Sequence, residues 1–88
     1  MAIIKQIDIK GYYPEYWMIR RRLWSKTEGK TTFWIVVYRN RATRLVNKQD
    51  YFKESERSLT LEGEKTTQEG YLAFMQDPFF ANGANGDE

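Results

Sequence analysis

In several separate stretches of the chain every second residue is apolar, and in one later stretch apolar residues recur three and four positions apart. Alternate side chains of a strand point to opposite faces, whereas a helix stacks positions three and four apart, so the two patterns separate strand from helix. Ile3, Ile7 and Ile9 oppose Gln6, Asp8 and Lys10 and predict a half-buried strand over 3–10, with Ile4 out of phase. Gly11 permits a turn and Pro14 holds Tyr13 extended, so the chain should reverse between residues 11 and 15. A second strand is predicted over 16–24. Its odd positions, Trp17, Ile19, Arg21 and Leu23, form the more apolar face, opposite Tyr16, Met18, Arg20, Arg22 and Trp24. Strict alternation places Arg20 and Arg22 together and leaves Arg21 at the rim of the core, or paired there with a carboxylate.

"SKTEGK" reads as a polar loop leading into "TTFWIVVYR", a third strand rich in β-branched and aromatic residues that pairs with the second as a hairpin. Phe33, Ile35 and Val37 share one of its faces and Trp34, Val36 and Tyr38 the other. Both faces are apolar, so one should lie under a helix and the other should meet further cover or a partner. Residues 39–50 fit either a short basic helix or a continuing strand, with Asn40 and Asn47 as breaks. "YFKESER" reads as a polar connector, and Leu59 and Leu61 mark a short strand ending at Gly63. Thr66 followed by Glu69 has the form of a capping box, and Tyr71, Leu72, Phe74 and Met75 give an apolar stripe before Pro78. These predict a helix over 67–76. The expected class is α+β, mainly β: a single domain over 1–80 with an antiparallel sheet of four to five strands, one C-terminal helix packed on it, and a flexible acidic tail over 81–88.

Composition narrows the chemistry. Cysteine and histidine are both absent, which excludes disulfides and thiolate metal sites and removes the commonest general base and zinc ligand. Glu54, Glu56, Glu62, Glu64 and Glu69 lack the spacing of a calcium loop, and no glycine-rich phosphate loop is present. No catalytic, cofactor-binding or metal-ligating residue is therefore assigned, and a non-enzymatic protein without cofactor is expected. The opening residues have no secretory apolar core and no window approaches a membrane span, so neither signal peptide nor membrane partner is expected.

The net charge of +2 conceals a division: residues 1–48 hold 11 Lys/Arg against 3 Asp/Glu, and residues 49–88 hold 3 against 9. Such asymmetry suits an acidic partner, nucleic acid, contact between copies, or simple pairing of the two halves in the fold. The candidate interaction surface comprises Arg20, Arg22, Trp34, Tyr38, Arg39, Arg41 and Arg44, with Arg39 and Arg41 joining from the next strand if the hairpin register allows. As a nucleic-acid module it would set phosphates on the arginines and bases on the rings.

The order "MAIIKQI", "YPEYWMI", "TTFWIVVYRNRATR", "SLTLEGE" and "TTQEGYLAFMQDPFFANGANGDE" resembles the small proteins encoded among the tail genes of tailed phages and prophages. The likeness spans most of the chain and is one of pattern and order. It implies a structural or assembly component of the tail or baseplate region, in the virion or host cytoplasm. Its partners would be other virion proteins and copies of itself, with nucleic acid as the alternative. The resemblance brings no functional residues with it.

Overall fold

In the computed structural model, which describes residues 2–80 and 83–85 apart from the side chains of Ala84 and Asn85, all strand pairs are antiparallel. The strands are β1 (Ile3–Ile4), β2 (Tyr16–Ser25), β3 (Lys30–Tyr38), β4 (Phe52–Glu62) and β5 (Ala84–Asn85), in the spatial order β4-β3-β2-β1-β5. Helix α1 (Arg41–Val46) links β3 to β4, and helix α2 (Thr67–Met75) follows β4 and leads to a 3-10 turn at Pro78–Phe80. The α+β, mainly β class is the one the apolar pattern predicts.

The β2–β3 hairpin is the centre of the sheet. Its loop closes where Gly29 takes φ 68° and donates its N–H to the Ser25 carbonyl at 2.8 Å, a left-handed geometry that glycine adopts without strain. Phe33, Ile35 and Val37 lie on the face under α2, with Ile3, Trp17, Tyr71, Phe74 and Phe80 in one buried cluster. Phe79 and Phe80 both meet Trp17 edge-on, at centroid distances of 5.5 and 5.0 Å, the geometry that ring quadrupoles prefer. On the opposite face Ala2, Tyr16, Val36 and Tyr38 form a second, smaller cluster with Ile4, Met18 and Tyr51 against it. The out-of-phase Ile4 thus belongs to the other core. Both apolar faces of β3 are used, each by a different layer.

Helix α2 begins as its sequence predicts. The Thr66 side chain accepts from the Glu69 N–H, and the Glu69 carboxylate accepts from the Thr66 N–H at 3.0 Å. This bond from Thr66 holds the Glu69 carboxyl below its usual range. Gly70, Tyr71 and Phe74 face the sheet, but Leu72 turns outward and is 48% exposed, because the stripe is only wide enough for one side of the helix.

Several boundaries differ from the sequence pattern. The first strand pairs regularly only at Ile3–Ile4; Lys5 and Ile7 continue the hairpin by single bonds to the Glu15 and Pro14 carbonyls, Ile9 exchanges two backbone bonds with Tyr12, and Lys10 and Gly11 make the turn with positive φ. The 39–50 ambiguity resolves to a helix because Asn40 accepts from the Thr43 N–H as its N-cap. β4 starts at Phe52, inside the expected connector. Phe52 and Arg57 of β4 pair with Val37 and Ile35, so β4 bulges between them, and the buried Ser55 Oγ accepts from the Val37 N–H at 3.1 Å. Within the expected tail, Ala84 and Asn85 instead pair with β1, and residues 81, 82 and 86–88 lie outside the described residues.

A Cβ on Gly70 would stand 2.7 Å from two ring atoms of Phe33, which is itself fully buried. Gly70→Ala should therefore destabilise the protein by about 1–3 kcal/mol in urea unfolding, even though alanine favours a helix interior by ~1 kcal/mol. A stabilised variant would mean that Phe33 has room to retreat.

Candidate interaction site: the basic aromatic face

The site begins with a register shift. Ile19 pairs with Ile35 and Arg21 with Trp34, so two residues of β2 advance against one of β3 and Arg20 is the inserted residue of a β-bulge. Alternation is broken there. Ile19 remains on the α2 face, but Arg20 and Arg21 both emerge on the opposite face, while Arg22, paired with Phe33, returns to the α2 side. The expected pair of Arg20 with Arg22 is thus corrected to Arg20 with Arg21. The bulge is held by α2: the Ile19 N–H donates to Tyr71 Oη at 2.7 Å.

Each arginine on this outer face lies over a ring. Arg20 is 4.9 Å above the Tyr51 centroid, Arg21 is 4.7 Å above Trp34, and Arg44 of α1 is 6.0 Å from Tyr38. Such contacts contribute about 0.5–1 kcal/mol where exposed and fix the plane of the guanidinium. Arg20, Arg21, Arg44 and Lys48 converge on a cavity of about 300 Å³, lined further by Met18, Ile19, Tyr38 and Gln49. Among the described residues no carboxylate lines it. Among the described residues Arg20, Arg21 and Arg44 make no ion pair, and the phenol of Tyr38, raised above its ordinary value by burial, donates to the Lys48 carbonyl at 2.7 Å.

Three carboxylates of the second half pair elsewhere. Glu64 is 3.7 Å from Arg22, Glu62 is 3.9 Å from Lys30, and Glu69 is 3.9 Å from Lys65, and Arg22 also donates to the Lys65 carbonyl at 2.6 Å. Of the expected surface residues, Arg20, Tyr38 and Arg44 line the cavity and Trp34 joins them through Arg21. Arg22 is on the opposite face, and Arg39 lines a different hollow with Asn40, Ala42, Thr43, Val46 and Asp50. β3 ends at Tyr38 opposite Tyr16, so Arg39 and Arg41 fall beyond the pairing and away from the cavity. Lys48 and Gln49 were not singled out in the sequence, and Arg21 was expected at the rim of the core and not on this surface. The bulge has no glycine or proline to announce it, and Lys48 and Gln49 gain a role only from the turn after α1.

Beyond the cavity the same face is a row of short or apolar side chains. Leu23, Thr32 and Thr60 lie in one cross-strand row, and Arg21, Trp34 and Ser58 in the next. Leu23, Ser58 and Thr60 are exposed and Trp34 is half-buried. Among the described residues no acidic cluster could hold a metal ion, and no helix is long and apolar enough to cross a membrane. The chain matches no family model, no curated protein and no solved structure.

Tyr71→Phe removes the acceptor for the part-buried Ile19 N–H and should cost about 1 kcal/mol, the net contribution of a typical hydrogen bond. Burial raises the Tyr71 phenol from 10.0 to about 12, so the folded state keeps a proton that the unfolded chain releases. That contribution is whole below pH 10 and is lost as pH rises toward about 12. Urea titrations across this interval should show a falling stability in the parent protein and a shallower fall in Tyr71→Phe; equal slopes would remove Tyr71 as the cause.

Proposed function

We propose that the protein is a non-enzymatic structural or assembly protein of a tailed phage or prophage, acting in the tail or baseplate region through protein–protein contacts. The observation that carries the contact reading is the outer face of the sheet, which brings Arg20, Arg21, Trp34 and Leu23 together beside a cavity that no carboxylate lines among the described residues. Arginine and aromatic residues are enriched at the energetic centres of interfaces, and ring-stacked guanidiniums lose less conformational freedom when a partner arrives. The phage assignment, with other virion proteins or copies of this chain as partners, rests on the order of sequence segments that resembles small tail-region proteins.

The competing reading is a nucleic-acid module. It is favoured by the four cations at one cavity, and weakened by the absence of a basic track leading away from it, since Arg22 and Arg39 lie elsewhere. Two measurements separate the readings. Co-expressed with the products of neighbouring genes, the tagged protein should retain a partner that Arg21→Ala/Trp34→Ala loses while its circular dichroism and melting are unchanged. Retention by that variant would place the contact on another surface. Labelled single-stranded DNA and RNA should show no saturable binding at low ionic strength; binding that weakens steeply with salt would transfer this face to nucleic acid.

A further inference from the structure

We infer that the cavity between Arg20, Arg21, Arg44 and Lys48 is the seat for a carboxylate of the partner protein, anchoring an acidic segment laid along the open face toward Leu23 and Thr60. The inference rests on the protein-contact reading and names the chemistry of the partner. Four cationic residues lining one hollow raise each other's energy, and among the described residues that line it there is no carboxylate. Glu62, Glu64 and Glu69 are engaged with Lys30, Arg22 and Lys65. An anion from another molecule is therefore the complement that the hollow lacks.

The rings decide how that anion is held. The guanidinium carbons of Arg20, Arg21 and Arg44 lie 4.9, 4.7 and 6.0 Å from the ring centroids of Tyr51, Trp34 and Tyr38, and a guanidinium stacked on a ring keeps its in-plane N–H groups, the donors that grip a carboxylate in pairs. A volume of about 300 Å³ is at the lower limit of small-molecule sites and suits a side-chain group better than a cofactor. The surroundings decide between protein and nucleic acid. A nucleic-acid strand repeats its charge along its whole length and needs cations in series, whereas here the next positions are Leu23, Thr32, Ser58 and Thr60. A single anionic anchor followed by apolar and hydroxyl contacts is the demand of a polypeptide.

Titration of the isotope-labelled protein at low ionic strength tests this, with the peptide Glu-Leu-Glu-Leu-Glu, inorganic phosphate and oligothymidylate as probes. The peptide should move the Nε–H signals of Arg20, Arg21 and Arg44 and the indole N–H of Trp34, and should bind about ten-fold more tightly than phosphate. Arg20→Glu/Arg44→Glu should weaken peptide binding by at least about ten-fold. Should that variant unfold, Lys48→Glu, at an exposed position, should weaken it by a smaller but measurable factor. Unmoved arginine signals, or tighter binding of oligothymidylate at the same signals, would overturn the inference. So would an Arg20→Glu/Arg44→Glu protein that folds and still co-purifies its partner, a result that leaves the wider assembly reading standing.

Discussion

The outer face depends on one inserted residue. Without the bulge at Arg20, β2 would keep strict alternation past Ile19, and Arg21 would share the helix-covered face with Ile19 and Trp17. A guanidinium there would need a buried partner or would push α2 away from the sheet. The bulge turns Arg20 and Arg21 to the outer face and sends Arg22 toward Glu64, where a carboxylate meets it. Insertion leaves a strand locally short of ladder partners, and Tyr71 supplies an acceptor for the Ile19 N–H from the helix. Docking of α2 and presentation of the arginines are thereby parts of one arrangement.

The same helix explains the thinness of the second core. α2 and the Pro78–Phe80 turn supply Tyr71, Phe74 and Phe80 to one face of β3, while among the described residues the smaller cluster on the other face draws Tyr51 from the segment after α1. α1 has no buried residue of its own and acts by position, bringing Arg44 over Tyr38 and letting the following turn present Lys48. That segment covers Tyr16, Val36 and Tyr38 and stops short of Trp34 and Leu23. The basic cavity lies at this boundary, where cover ends and open sheet begins.

Much of this was legible from residue order. The two-sided apolar run of β3, the hairpin with β2 and the Thr66–Glu69 start of α2 follow from local periodicity and capping chemistry, which act over a few residues. The β4 boundary was hidden because Lys53, Glu54 and Glu56 look like a connector, and only the cross-strand bond of Ser55 to Val37 shows the strand bending through them. For the site, Arg20, Trp34, Tyr38 and Arg44 were legible as arginines among rings. Arg21 was assigned to the wrong face and Arg22 to the wrong partners, because a bulge is set by tertiary contacts that no local pattern carries.

The charge division along the chain acquires a physical meaning from this geometry. Had every arginine of the first half met a glutamate of the second, the asymmetry would be spent within the fold. Three ion pairs, Arg22 with Glu64, Lys30 with Glu62 and Lys65 with Glu69, lie at exposed positions, where solvent screens them and each contributes little. At the cavity the rings of Tyr51, Trp34 and Tyr38 hold the guanidiniums in place of carboxylates. A ring orients a guanidinium without neutralising it, so the positive potential remains available to a second molecule. A carboxylate in the same position would orient it equally well and cancel that potential, which makes ring stacking the arrangement that leaves Arg20, Arg21 and Arg44 ready to bind.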